Sequence, residues 1–452
     1  MTPSLNTSLP DWLAWMESLH PSEIDLGLKR VRRVAEALSL DASKACVITV
    51  AGTNGKGSFI QVISALLSEE HARFGSYTSP HILHYNERIQ LDGKPVSDAL
   101  ICDAFSAINI ARGDISLTYF EFGTLAAMYI FQQAQVDYWL LEVGLGGRLD
   151  AVNIVDADVA VITSIGIDHE LWLGNTRDAI AQEKAGILRA DKPFICVDSD
   201  PPLILREIAQ DLHCQTYWLG HDISFDEEHK ILRIDGSSNA QSLSLDVEDA
   251  KLPLASVAAA CKCYQLVSGR LDAARLQRII TGAQLPGRFE RVTYRQADWV
   301  LDVAHNPAAV ELLVAQIIRK YPALSNPHSN STHSPDGDGV IVVFAAMLDK
   351  DISTIAKHLT RCTKTVVCTG IPDLPRSASA SDVSATFAKV GVNTDTCPDP
   401  EGALSRAYDV WKKSSNPYPI FVVGSFYLIA EVKRIFASTS DQKRHEKLTN
   451  NE

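Results

Sequence analysis

The stretch VITVAGTNGKGSF (Val47–Phe59) decides the architecture of this chain. Cys46–Val50 (CVITV) is an apolar, β-branched run of the length of a buried strand, and FIQVISALLSEE, which follows the loop, has the spacing of a helix. Between them lie Gly52, Gly55 and Gly57, residues that let a backbone approach a phosphate and turn its N–H groups toward it. Lys56 adds a cation for the outer phosphates, and the Ser58 hydroxyl is placed to reach magnesium. Gly57 separates the lysine from the serine, so the loop is a variant of the common G-x-x-x-x-G-K-[ST] pattern. A plain glycine turn with an incidental surface lysine is the competing reading, and the strand and helix on its two sides argue against it.

Working outward, further strand-length runs alternate with helix-length stretches. YWLLEV (Tyr138–Val143) and DVAVITSI (Asp158–Ile165) come first, then the helical TRDAIAQEKAGILR. This alternation predicts an α/β protein whose N-terminal domain is a P-loop-type ATPase with a mainly parallel sheet. Residues 221–250 instead alternate polar and apolar with an Asp-Gly turn, which predicts a small antiparallel patch. A second series begins with WVLDVAH and NPAAVELLVAQIIRKY and continues through GVIVVFAA, TVVCTG and PIFVVGSF. It predicts a smaller, Rossmann-like C-terminal α/β domain. The Pro-Gly break at LPGR (Leu285–Arg288) sets the expected division, with domains over 1–285 and 286–437 and a fraying polar tail over 438–452. Ser325–Gly339, polar and turn-rich, reads as a surface insertion.

Composition narrows the function. The 452 residues are 46% apolar and 21% charged, a globular balance that excludes a disordered or fibrous protein. With 42 Lys plus Arg against 55 Asp plus Glu, a net charge of −13 disfavours a polynucleotide partner. No apolar run has the length of a membrane span, and the N-terminus lacks the pattern of a signal peptide. The nine cysteines are scattered; Cys261 and Cys263 form the only close pair, which fits neither a zinc site nor a disulfide framework. Reduced thiols in a cytoplasmic protein are expected.

Several side chains stand where an open α/β sheet builds its site, at the carboxyl ends of strands. Glu142 opens the turn GLGG, placed either to hold magnesium opposite Ser58 or to cap the turn. Asp168 and His169 follow a strand in TSIGIDH, where a lone histidine is as readily structural as ligating. Lys184, in QEKAGIL, reads on its own as a solvated helical lysine. His305, before Asn-Pro, suits a helix N-terminus as well as a substrate contact.

AGTNGKGS resembles the nucleotide loop of the ATP-dependent amide ligases that include the Mur ligases and the folylpolyglutamate synthases. IDLGL (Ile24–Leu28), TSPHILHYNERI (Thr78–Ile89), LTYFEFGT (Leu117–Thr124), LEVGLGGRLDAVNIV (Leu141–Val155), TSIGIDH, EKAGI, LPGRFE and DVAHNP narrow the resemblance to the bifunctional dihydrofolate synthase/folylpolyglutamate synthase family. The motifs occur in that family's order and span most of the chain. What the resemblance implies is a Mur-ligase-like enzyme that adds L-glutamate to 7,8-dihydropteroate and to reduced folates through an acyl phosphate. ATP would be held by Gly52, Thr53, Asn54, Gly55, Lys56, Gly57 and Ser58, with Ser256, Arg288 and Asp302. Two magnesium ions would be held by Ser58, Ser79, Glu142, His169 and Lys184, the last as N6-carboxylysine, since a carbamate attracts a cation that an amine would repel. Asp25, Leu26, Gly27, Thr118, Tyr119, Phe120, Glu121, Leu149, Asp150 and Ala151 would bind the pterin. In this scheme Tyr119 and Phe120 offer stacking surface and Asp150 a carboxylate for ring N–H groups. Lys56, Lys184 and His305 would serve catalysis, His305 near the incoming glutamate. A monomer with small-molecule substrates and no nucleic-acid or membrane partner is expected. The chain departs from the family pattern at Ser256 in LASVAAAC, where an asparagine is usual, and at Tyr427 in GSFY, where a histidine is usual.

Other classes compete. A cell-wall Mur ligase would carry a sizeable domain before the loop, and little chain precedes it here. A simple P-loop kinase or hydrolase would need no amine-binding domain, and a silent nucleotide-binding protein would form no amide.

Overall fold

The computed structural model describes residues 7–22, 24–226, 230–235, 243–248, 250–268, 272–325, 339–372, 374–414 and 418–449, with side chains described as far as Ser438 in the last helix. The chain divides into two compact units, Met1–Leu285 and Pro286–Glu452.

In the first unit, strands β1 (Cys46–Ala51), β2 (Phe74–Tyr77), β3 (Ile89–Leu91), β4 (Lys94–Pro95), β5 (Tyr138–Glu142), β6 (Val159–Ile162), β7 (Pro193–Cys196) and β8 (Gln215–Trp218) form one sheet. Its order is β4-β3-β2-β5-β1-β6-β7-β8. In that order every pairing from β2 to β8 is parallel, and the two edge pairings, β2/β3 and β3/β4, are antiparallel. β1 is central because both of its faces are apolar. Ile48 and Val50 join Phe59, Ile63 and Leu66 of the helix Lys56–Glu69, while Val47 and Ala51 join Phe122 and Leu125 of the helix Tyr119–Ala134. The helix Leu254–Ser268 is buried on every side from Ser256 to Gln265, and its run of alanines allows close approach to the Lys56 helix. Strand order reverses around β1, between β5 and β6, and a crevice at the carboxyl ends of strands opens at such a switch point.

β9 (Ile223–Asp226), β10 (Ile231–Ile234) and β11 (Leu243–Asp246) make the small antiparallel sheet that the alternating segment predicts. Gly236 of the Asp-Gly turn lies outside the described residues, as do residues 326–338 of the polar insertion.

The second unit holds β12 (Glu290–Tyr294), β13 (Ala297–Asp302), β14 (Val340–Phe344), β15 (Thr363–Thr369), β16 (Asn393–Cys397) and β17 (Ile420–Val423), in the order β12-β13-β17-β14-β15-β16. All neighbours are parallel except β12 and β13. The last helix corrects one expectation. Its backbone continues past Ser438 to Thr449 instead of fraying, through a stretch rich in Gln, Lys, Arg and Glu, all good helix formers. Among the described residues no helix is long and apolar enough to cross a membrane. All nine cysteines are unpaired.

Candidate active site

The phosphate loop is held from outside by hydroxyls. Thr163 Oγ1 donates to the Asn54 carbonyl at 2.7 Å and Ser256 Oγ to the Gly55 carbonyl at 3.0 Å, while Ser164 Oγ accepts the Asn54 N–H at 2.9 Å. Thr53 exchanges hydrogen bonds with Gly166. Gly55 ends the loop with φ 93°, a left-handed backbone that glycine adopts without strain, and begins the Lys56 helix with no side-chain cap. The first-turn amides of that helix are therefore directed at whatever lies beyond the loop, which is how a helix N-terminus binds phosphate. Lys56 Nζ rests on the Gly52 carbonyl at 2.9 Å. These features fit a nucleotide phosphate chain. A methyl group on residue 55 would lie 2.5 Å from Ser256 Oγ. Gly55→Ala is expected to abolish measurable nucleotide binding in a titration while lowering the melting temperature by only a few degrees, roughly the effect of ~1 kcal/mol of backbone strain.

Glu142 is the last residue of β5 and is buried. Its Oε2 accepts the Ser79 N–H at 3.2 Å and lies 3.9 Å from where a Cβ on Gly57 would stand, beside the buried Ser58. Among the described residues no three His, Cys, Asp or Glu side chains converge. Two hydroxyls and one carboxylate suit magnesium, which keeps several waters and takes few protein oxygens.

Lys184 is placed by backbone packing. Gly147 of GLGG lies so close to EKAGI that a Cβ there would meet the Glu183 carbonyl at 2.8 Å, and Arg148 N–H donates to that carbonyl. Glu183 turns outward to Arg148, and Lys184 turns inward and is 4% exposed, not solvated as its isolated reading had it. Burial, with help from the nearby Lys56 cation, lowers its ammonium to about 7, against the pull of Asp168 and Asp150. His169 is exposed and starts the short helix Glu170–Leu173 with φ 52°.

The segments expected to bind the pterin are tied together by an arginine that sequence reasoning missed. Arg30 Nη1 donates to Asp25 Oδ2 at 2.6 Å, and its Nη2 donates to the Asp25 carbonyl and to Glu121 Oε1, each at 2.8 Å. Glu121 completes a capping box with Thr118 at the start of the Tyr119 helix. Asp25, Leu26 and Gly27 thus lie beside the residues that open that helix. Tyr119 and Phe120 are half-buried; Phe120 lies over Gly144 of the GLGG turn, and Tyr119 against Tyr85. Leu149 is half-buried and Ala151 buried. Asp150 is buried rather than open: its two oxygens accept the Leu145 and Val152 N–H groups at 2.8 and 3.0 Å. Burial outweighs those hydrogen bonds and raises its carboxyl to about 6. Its observed work is to hold the glycine turn.

In the second unit, Asp302 ends β13, buried, and accepts the Phe289 and Ala304 N–H groups at 2.8 and 2.9 Å. Burial raises its carboxyl, opposed by nearby Arg288. The Arg288 guanidinium lies 5.6 Å from the Phe426 ring centroid, and His305 packs on the same ring at 5.9 Å while its Nδ1 donates to the Val303 carbonyl. Asn306 caps the helix Pro307–Lys320. Tyr427 is 55% exposed. Phe426, which organises this cluster, was missed although it precedes Tyr427 in GSFY, because only the fold shows which residues stack on it.

A phosphate loop at a sheet's switch point, followed by a second parallel α/β unit, defines a Mur-type ligase. The Mur ligase middle domain matches residues 50–257 and the Mur ligase glutamate ligase domain residues 287–425. Among relatives, a dihydrofolate synthase/folylpolyglutamate synthase of Escherichia coli (strain K12) is 35% identical over 436 residues, covering 96% of this chain and 97% of that one. The structure of E. coli FolC in complex with DHPP and ADP superposes with a TM-score of 0.84 at 34% identity, covering 97% of this chain and all of that one. The bifunctional folylpolyglutamate synthase/dihydrofolate synthase of Yersinia pestis, complexed with AMPPNP and Mn ion, gives a TM-score of 0.82 at 36% identity, covering 96% of this chain and 99% of that one. This chain belongs to the dihydrofolate synthase/folylpolyglutamate synthase family.

Proposed function

We propose that this protein joins L-glutamate to 7,8-dihydropteroate, forming dihydrofolate, and to reduced folates, forming folylpolyglutamates, at the expense of ATP. The observation that carries the reading is the uncapped Lys56 helix behind its glycine loop, with Glu142 and Ser79 bonded beside it. The substrate carboxylate attacks the γ-phosphate, ADP leaves, and the glutamate amine then displaces phosphate from the acyl phosphate. The loop amides of residues 52–58 hold the phosphate oxygens, and Lys56 moves from the Gly52 carbonyl to the transferring group. Such transfers depend on positioning and charge, and no side-chain nucleophile is required. Magnesium, when bound by Ser58, Ser79 and Glu142 and at a second position by His169 and Lys184, neutralises charge on the phosphates. We assign Lys184 as N6-carboxylysine: its free amine adds CO₂ and releases a proton, replacing a buried cation by an anionic oxygen donor. Arg288 and Asp302 are assigned to the nucleotide and His305 to the incoming glutamate. Ser256 serves the nucleotide by fixing the loop that holds it.

The pterin is assigned to Asp25, Leu26, Gly27, Thr118, Tyr119, Phe120, Glu121, Leu149, Asp150 and Ala151, with the two aromatic rings stacking on it. The protein acts as a cytoplasmic monomer on small molecules, without nucleic-acid or membrane partners. The deciding assay follows ADP release and product mass with glutamate plus dihydropteroate, then with glutamate plus tetrahydrofolate. Both substrates are expected to gain a glutamyl residue. Extension of tetrahydrofolate alone would refute the dual assignment, and ATP consumption that needs no glutamate would refute the ligase.

A further inference from the structure

The segment that follows Ser79 carries a cation to which the assignments above give no role. The Arg88 carbonyl accepts the Thr78 N–H at 2.9 Å, which roots the residue one position from Ser79 and hence close to Glu142. Its side chain is held in a fixed plane. Nε donates to His81 Nδ1 at 2.8 Å, and the guanidinium carbon lies 5.5 Å from the Tyr85 ring centroid and 5.6 Å from that of Tyr119. Arginine only donates, so His81 Nδ1 is the acceptor of that bond. Tyr85 is buried and braced by Phe105, so the clamp on the guanidinium is rigid. Arg88, Asp150 and Tyr119 are all near enough to Tyr77 to influence its hydroxyl, which places Arg88 on the wall of the pterin pocket proposed above. Among the described residues no carboxylate pairs with Arg88. A half-buried, immobilised guanidinium without an internal anion is preorganised for an anion of the ligand.

We propose that Arg88 binds the α-carboxylate of the glutamyl tail of folate substrates and so separates the second reaction from the first. The inference rests on the glutamate-adding function proposed above. Dihydropteroate has a single carboxylate, and that group must face Ser58 and Glu142 to be activated. A folate presents its γ-carboxylate there and brings a second carboxylate a short carbon chain away. Arg88, anchored beside Thr78 and Ser79, is the cation at that position.

The test compares wild type with Arg88→Met, which keeps most of the side-chain volume, in both glutamate additions at saturating ATP. Loss of a charge-assisted pair should lower the ratio of kcat/KM for tetrahydrofolate to that for dihydropteroate on the order of 10- to 100-fold, mostly through KM. Arg88→Lys should recover part of that ratio. Equal losses for both substrates would mean that Arg88 supports the pterin or the fold, and would overturn the proposal. So would an unchanged ratio. Failure of the wild-type protein to extend either substrate would instead bring down the function on which the proposal rests.

Discussion

Lys56→Ala is expected to lower amide synthesis on the order of 100- to 1,000-fold, the effect of removing one preorganised charge from a transfer site. The protein should stay folded. Lys56 is the first residue of its helix, alanine is a better helix former, and among the described residues its side chain gives up one hydrogen bond, to the Gly52 carbonyl. The loss should appear in kcat with either pterin substrate, because the phosphate chemistry is common to both reactions. Circular dichroism and a thermal melt check the fold, and steady-state ADP release checks the rate. Near-normal synthesis by a folded Lys56→Ala protein would remove the phosphate-loop assignment.

Lys184→Ala is expected to be comparably inactive, on the order of 100-fold or more, because it removes the oxygen donor assigned to the second metal position. Small carboxylates at high concentration should restore part of the activity by occupying the space left by the side chain. The pH dependence follows from the buried amine. With its folded value lowered to about 7, the amine is free above that pH and able to add CO₂, so activation by bicarbonate should fade as pH drops through 7. Stability moves the same way. An unfolded Lys184 retains the ordinary value of 10.5, so between about 7 and 10.5 the unfolded chain binds more protons than the folded one. CO₂-depleted protein should therefore gain stability as pH rises across that window, with the penalty complete below 7, and Lys184→Met should flatten the slope. Isotope-labelled bicarbonate that leaves no carbamate signal in active enzyme would count against the modification.

The central strands were legible because β1, β5, β6, β14 and β17 are buried almost throughout on both faces and read as largely apolar runs. The edges were not. β3, β4 and β16 are short, polar or half-exposed, and only pairing with a neighbour makes them strands. The phosphate loop was legible for the same local reason, since strand, glycines, lysine and helix are contiguous. Contacts between distant segments were hidden: the Ser256 hydroxyl supports the loop at Gly55 across 201 residues, and Arg30 ties the segments assigned to the pterin by reaching Glu121 across 91. Asp150 was legible as an acidic residue in a glycine-rich turn, but its burial and its two backbone donors were not.

The placement of β17 has a consequence for how the protein is made. β13 and β14 do not touch each other; each pairs with β17, which is translated after both. The first unit has all of its strands once Leu285 has left the ribosome, and it can fold during synthesis. The second unit must wait with two apolar strand edges open until Ile420–Val423 emerges and slides between them. Nascent chains of this enzyme are thus born half-finished, with their sticky half last, and that interval is when chaperones have most to cover.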